Sequence, residues 1–176
     1  MIRNVTWAAL GAAGLAAVLA GCSHPPLPPP APPIHRVSAT AMVEAIRAAR
    51  VDDKSVLEVT PLRNPSVNGF LDGAHADENA GKYRDALAKV DEALKLSPDA
   101  PDILQFRAEI EILLHDYPAA AADARRSYAL GAKFGGLCAS NWQTVLEIAQ
   151  ADDNQAGIAE ARTARDACHK PGPVRM

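Results

Sequence analysis

The chain has 176 residues, which is enough for one modest hydrophobic core. Its 18 basic and 21 acidic residues give a formal net charge of −3. This mild acidity, without any cluster of basic residues, excludes a nucleic-acid-binding protein, because such proteins need a basic surface to neutralise phosphates.

The first 21 residues have the three parts of an export signal. Arg3 gives the positive start, and Trp7 to Ala20 form an apolar stretch shorter than the roughly 20 residues of a spanning helix. The signal closes on Leu-Ala-Gly-Cys at positions 19–22, which resembles the lipobox of bacterial lipoproteins at every position. The alternative is an ordinary secretory signal in which the cysteine is incidental.

The lipobox resemblance implies that Cys22 is acylated and becomes the N-terminus of a membrane-anchored chain. Two or three acyl chains, such as palmitate, are enough for stable anchoring. In many lipoproteins an aspartate after the cysteine marks retention in the inner membrane, whereas this chain has Ser23. The resemblance therefore implies the periplasmic face of the outer membrane, with the inner membrane and the cell surface as alternatives.

Residues 22–36 form a linker that contains the proline-rich run from Pro25 to Pro33. Such a run adopts polyproline II at about 3.1 Å per residue. We interpret it as a spacer that holds the folded domain roughly 30 Å from the lipid. A ligand for a proline-reading domain is the alternative.

Residues 37–64 contain a predicted helix and a connector. Ser38 to Arg50 has one apolar side and predicts an amphipathic helix that covers the open N-terminal end of the following domain. Ser55 to Thr60 favours β-structure but has no second strand nearby, so it is either an extended connector or an edge for a partner strand. Asn64 and Pro65 predict the N-cap and first turn of the next helix.

Residues 65–168 contain an internal repeat with a period of 34 residues, a length typical of helical solenoids. A shift of this length places small, aromatic and apolar residues on similar ones: Phe70 on Leu104, Ala74 on Ala108, Tyr83 on Tyr117, Ala86 on Ala120, Ala88 on Ala122 and Leu96 on Leu130. In a hairpin of two antiparallel helices, small residues belong where the helices cross closely. An aromatic residue belongs where the second helix starts.

This pattern, together with the stretch from Gly81 to Pro98, resembles the tetratricopeptide repeat (TPR). The chain departs from the family at Gly73, where a larger apolar residue is usual, and at Gly131-Ala132, which replaces Ser97-Pro98. The resemblance implies an all-α fold, namely a short TPR-like solenoid of two clear repeats after the lipoprotein signal and the Pro-rich linker.

A third hairpin is present but out of step with the repeat. Apolar residues at helical spacing predict its two helices: Trp142, Val145, Leu146 and Ala149, then Ile158, Ala161 and Ala164. Asp152-Asp153-Asn154 predicts the turn and cap between them. We interpret this unit as a degenerate hairpin that caps the stack, followed by a C-terminal tail at residues 169–176.

The two remaining cysteines lie at the two ends of this hairpin. Cys138 begins its first helix and Cys168 ends its second, and these places are neighbours when the helices are antiparallel. In an oxidising compartment such a pair is expected to form a disulfide. The bond would close a loop of about 30 residues and add roughly 3 kcal/mol to stability. Two thiols that are buried or free are the alternative.

The sequence contains no motif that carries catalysis, such as HExxH, GxSxG or a Walker loop. Asp72, His75 and Glu78 share a predicted helix face and could nominally hold a metal, but charged residues on a solvated face explain them as well. We therefore expect no enzyme, no cofactor and no metal site.

In the TPR family the first helix of each hairpin lines a concave groove that takes peptides or partner helices. The resemblance places the partner-binding groove at Asn68, Leu71, His75, Glu78, Asn79, Asp102, Gln105, Glu109, Ile112 and Leu113. These residues mix carboxylates with apolar groups, which predicts an envelope protein or peptide of basic and apolar character. A structural surface without a ligand is the alternative, because two or three repeats give only a short groove.

Together these features predict a lipid-anchored periplasmic adaptor that binds another envelope protein through its repeats. Repeat lipoproteins of this general plan serve outer-membrane protein assembly, pilus secretins and peptidoglycan enzymes. The rival interpretation is a passive structural or cell-wall-associated lipoprotein without a dedicated protein partner. Fold analogy does not choose between the two.

Overall fold

The structure is a computed structural model that describes residues 37–53 and 63–170. Within these ranges the chain is all-α, with seven helices: α1 Ala39–Asp52, α2 Pro65–Asn79, α3 Tyr83–Leu96, α4 Pro101–Leu113, α5 Tyr117–Leu130, α6 Gly135–Ala151 and α7 Gln155–Asp166. The export signal, Cys22, the proline-rich run, the β-favouring stretch and the end of the tail lie outside the described residues.

Three helical hairpins form the stack, as the repeat predicts. α2 packs on α3, α4 on α5 and α6 on α7, and neighbouring hairpins meet through α3 with α4 and α5 with α6. Two of the three aligned alanine pairs are fully buried between the helices: Ala74 with Ala108 and Ala86 with Ala120. The third pair, Ala88 and Ala122, is exposed. Small residues at the buried positions let the backbones approach closely, which confirms the helical-hairpin prediction.

Local capping signals fix several helix starts. The side chain of Asn64 accepts a hydrogen bond from the Ser66 backbone N–H at 2.9 Å, and Pro65 occupies the first turn, as predicted. The Ser38 side chain accepts from the Ala41 N–H at 3.2 Å and so caps α1. Asn154 caps α7 in the same way, through the N–H of Gly157.

The turns inside the first two hairpins share one backbone conformation. Gly81 has φ = 72° and His115, 34 residues later, has φ = 63°. Glycine adopts this left-handed conformation without steric cost, whereas the Cβ of histidine makes the conformation sterically unfavourable. The repeat geometry is therefore kept in the second unit although the residue that favours it is absent.

Gly73, one of the departures from the family pattern, makes room for a side chain from the next helix. A Cβ at this position would lie 2.9 Å from the Cδ atom of Lys89 on α3. Lys89 passes over the glycine and forms an ion pair with Asp77 of α2. The small residue thus admits a charged contact between the two helices of the first hairpin.

The position of α1 differs from the prediction. α1 does not cover the N-terminal end of the stack; it packs mainly against α6 and also against α4, the first helices of the third and second hairpins. The reason is that both α4 and α6 are buried on more than one side, so each needs a cover beyond its own hairpin partner. A side chain at Gly136 would clash with the carbonyl oxygen of Arg50, which shows how closely α1 approaches α6.

A disulfide closes the third hairpin. Cys138 and Cys168 are bonded, with their Cα atoms 5.6 Å apart, as the sequence predicts for the two ends of an antiparallel pair. Beside the bond, the Gly135 N–H donates to the Cys168 carbonyl oxygen at 3.0 Å. Tyr128 and Trp142 pack against the two cysteines, so the bond lies in a small apolar cluster of its own.

Candidate interaction surface on the concave face

The ten residues predicted to line the concave groove fall into two groups. On α2, the side chains of Asn68, His75 and Asn79 are exposed, and those of Leu71 and Glu78 are partly buried. On α4, Asp102 is partly buried at the start of the helix, whereas the other four are buried: Gln105, Glu109, Ile112 and Leu113. The expectation of one continuous open groove is therefore wrong for those four residues, because α1 and α6 pack on α4.

Arg47 of α1 joins three helices across this face. Its Nε donates to Glu109 Oε2 on α4 at 2.8 Å, and its Nη2 donates to Glu78 Oε1 on α2 at 2.6 Å. The guanidinium side chain stays 44% exposed, whereas the two carboxylates are nearly buried. Arg47 is thus the point where the covered and the open parts of the concave face meet.

The two carboxyl groups that bind Arg47 have opposite pKa shifts. Burial raises the pKa of Glu109, and the attraction of Arg47 only partly opposes this shift. Burial also opposes ionisation of Glu78, but the nearby His75 and the hydrogen-bonded Arg47 outweigh it and lower the pKa of Glu78. At the edge of the open part, Glu78 therefore ionises more readily than Glu109.

A buried polar chain continues from Glu109 under α1. Gln105 Nε2 donates to Glu109 Oε1 at 3.2 Å and to Thr144 Oγ1 of α6 at 2.9 Å. Thr144 in turn donates to the Ser140 carbonyl oxygen within its own helix. These bonds tie the second hairpin to the third, so Gln105 has a structural role in place of the predicted contact with a partner.

The first hairpin leaves an accessible patch, which we call the open end: Asn68, Leu71, His75 and Asn79 of α2, with Arg47 beside them. The His75 ring stacks on Phe106 of α4, with ring centroids 4.1 Å apart, and its Nδ1 lies 3.6 Å from Glu78 Oε2. The open end therefore offers amide groups, an imidazole, an apolar side chain and a guanidinium within one surface.

Two of the residues that could nominally hold a metal, His75 and Glu78, contact groups outside the trio of Asp72, His75 and Glu78. Among residues 37–53 and 63–170, no three His, Cys, Asp or Glu side chains are grouped in a way that could hold a metal ion. Glu78 turns to Arg47, and the His75 ring turns to Phe106. The three residues share a helix face but not a site.

Sequence reasoning missed the role of Arg47. A charged residue directly after the buried Ile46 looks like an ordinary solvated position on an amphipathic helix. The signal for this role lies in the sequence of α4, where Glu109 stands among apolar residues in Ile-Leu-Gln-Phe-Arg-Ala-Glu-Ile-Glu-Ile-Leu. A carboxylate that is buried there needs a cation.

Comparisons with known proteins give one informative match. No family model matches the chain, and no curated protein matches it. Among solved structures, the chain is similar to the globular C-terminal domain of LpoP from P. aeruginosa, with 23% sequence identity and a TM-score of 0.56. The match covers 60% of this chain and 99% of that domain, and at this identity it concerns the fold alone.

None of the seven described helices has the length and hydropathy needed to span a bilayer.

Proposed function

We propose that the protein is a lipid-anchored adaptor that holds an envelope protein or peptide on the open end of its concave face. The Leu-Ala-Gly-Cys sequence supports acylation of Cys22, and Ser23 after it supports the periplasmic face of the outer membrane. The hairpin stack, whose fold is similar to that of the globular LpoP domain, supports a repeat module with a concave face. The proposal assigns no catalytic step to any residue.

The observation that carries the proposal is the contrast between α2 and α4. Most of the predicted contact residues of α4 are buried inside the fold. On α2, in contrast, Asn68, His75 and Asn79 are exposed next to the half-exposed Arg47. A ring that stacks on Phe106 while more than half exposed is a rigid platform, because its rotation is restricted. Such a mixture of aromatic, amide and guanidinium groups suits a protein partner.

A passive structural role is the second candidate, and one observation favours it. Four of the ten predicted groove residues are buried, so the accessible part of the concave face is small. A protein whose surface only spaces or coats the envelope needs no open groove at all.

Photo-cross-linking in intact cells tests the adaptor role. Probes replace His75 and Asn79 at the open end, and a control probe replaces the exposed Arg84 of α3. The adaptor predicts one discrete protein adduct from the first two positions that the control lacks. The same smear at all three positions, with the protein sedimenting on purified peptidoglycan, would instead support the structural role.

The anchor is tested separately by Cys22→Ala. Loss of the acylated thiol removes the hydrocarbon that holds the chain on the bilayer, so the variant is expected in the soluble fraction. Metabolic labelling with an alkyne fatty acid should mark the parent chain and not the variant. An unlabelled parent chain would contradict lipidation and leave the open end unaffected.

A further inference from the structure

The concave face of the second and third hairpins already holds a helix. α1 lies on α6 and α4, where an open stack would receive a partner helix. Glu109 of α4 contacts it and is 5% exposed and hydrogen-bonded to Arg47. α1 therefore shows which kind of helix this surface accepts.

The apolar side of α1 follows the spacing of a helix seated in a groove. Its four buried residues stand at i, i+3, i+4 and i+7: Ala39, Met42, Val43 and Ile46. The opposite side is exposed at Thr40, Glu44, Ala48 and Val51. Amphipathic helices that bind as ligands use the same four anchor positions.

The polar contacts that hold α1 include the Arg47 guanidinium and the C-cap Asp53, whose Oδ1 lies 3.1 Å from Nδ1 of His169. Arg47, at i+8 from the first anchor, hydrogen bonds to Glu109 and Glu78 from two different hairpins. Glu109 is only 5% exposed, and burial raises its pKa. A helix that replaced α1 without bringing a cation would leave this carboxyl group desolvated and uncompensated, which is costly.

The connection of α1 to the repeats makes replacement feasible. Among the described residues α1 packs mainly on α6 and α4, and its hydrogen bond to the hairpin that follows it is the one from Arg47 to Glu78. Residues 54–62 join α1 to α2 in the sequence. A helix held by a short connector competes with an effective concentration in the millimolar range, which a partner has to overcome.

We infer that α1 is a tethered, exchangeable ligand of the concave face. Its competitor is an amphipathic partner helix with apolar anchors at i, i+3, i+4 and i+7 and an arginine at i+8. Displacement of α1 would extend the open end of α2 into one groove across all three hairpins. The existence of such a partner rests on the proposed function, whereas the selectivity of the groove can be measured without it.

The test uses the purified full-length chain and a labelled peptide with the sequence of residues 37–53. Fluorescence anisotropy measures its binding to the parent chain, to Arg47→Glu, and to a chain with about 30 Gly/Ser residues inserted between Asp53 and Arg63. Reversing the charge repels α1 from Glu78 and Glu109, so we expect peptide affinity to rise roughly tenfold or more. The insertion lowers the effective concentration of α1 and should raise affinity several-fold.

A peptide that itself carries Arg47→Glu is the matched control and should bind at least about tenfold more weakly. If circular dichroism shows that Arg47→Glu is unfolded, the insertion variant serves as the test of the inference, because the insertion changes no described contact. Equal binding of both peptides, or no binding to the folded variants, would overturn the inference. If the peptide exchanges with α1 but no partner is cross-linked in cells, the adaptor role is contradicted and the inference about α1 still holds.

Discussion

Arg47 and Arg107 both bind carboxylates from neighbouring helices, but they lie on different sides of α4 and connect different helices. Arg107 is part of the repeat: its Nη1 donates to Asp91 of α3 at 3.0 Å, and its Nη2 donates to Asp123 of α5 at 2.9 Å. It therefore links the first hairpin to the second. Arg47 links both hairpins to a helix from outside the repeats.

The two networks also differ in charge balance. Arg47 serves two carboxyl groups, whereas Arg107 has a third, Glu111, whose Oε1 lies 3.9 Å from its Nε. Burial first, and then repulsion from Asp123, raises the pKa of Glu111 to about 8. The comparison teaches that the network inside the stack carries the larger excess of acid, with three carboxyl groups on one arginine against two under α1.

The largest expected effect is that of Arg107→Ala. It leaves Asp123, which is 7% exposed, without its bidentate partner and breaks the link between α3 and α5. We expect the free energy of unfolding to fall by about 3 kcal/mol or more, measured by urea denaturation. An equal loss from Arg47→Ala would erase the distinction between the two networks.

The disulfide comes next, because it clamps the hairpin on which α1 rests without touching Arg107. The double variant Cys138→Ser with Cys168→Ser opens a loop with a sequence separation of 30 residues. A loss of about 3 kcal/mol in the free energy of unfolding is expected from chain entropy. Under reducing conditions the parent chain should approach the variant; an unchanged parent would mean that the bond does not stabilise the fold.

Arg47→Ala should have a smaller and more local effect. Its side chain is 44% exposed, so we expect a loss of about 1–2 kcal/mol. Hydrogen exchange of the α1 amides should accelerate, while that of α3 stays unchanged. Glu44→Ala, on the exposed side of α1, is the matched control. Uniform acceleration over all helices would show that α1 is an inseparable part of the core.

Much of the stack is readable from the sequence because its signals are local. The Asn64 cap, the alanines at the helix crossings and the positions of Cys138 and Cys168 each depend on a few neighbouring residues. The turn at His115 is not readable, since only its place in the repeat, and not its residue type, requires a left-handed backbone.

The covered groove was missed because burial on α4 and α6 is a tertiary property. Ile103 and Ile110 share one face of α4 and Ile112 lies on the opposite face, yet all three are buried. A helix with apolar residues on opposite faces has to be covered on both. The sequence shows this composition, but not that α1 supplies the cover.

The last prediction of this comparison concerns the pH dependence of the Arg107 network. Glu111 keeps its proton up to about pH 8 in the folded chain but loses it near its ordinary value of 4.5 when unfolded. Its contribution is therefore fully present below about pH 4.5 and is lost as the pH rises towards 8. Glu111→Gln should flatten the decline of stability over this window in urea titrations, and Glu44→Gln on exposed α1 should not. A parallel decline in all three chains would contradict the assignment.

The central claim, that α1 occupies the concave face, is tested most directly by a double-mutant cycle between Arg47 and Glu109. The free energy of unfolding is measured for the parent chain, Arg47→Ala, Glu109→Ala and the double variant, with a second cycle of Arg47 and Asp91 as control. We predict a coupling of about 1–3 kcal/mol for the first cycle and additivity within about 0.5 kcal/mol for the second. Additivity in both cycles would mean that α1 does not lie on α4 in solution, and would contradict the account.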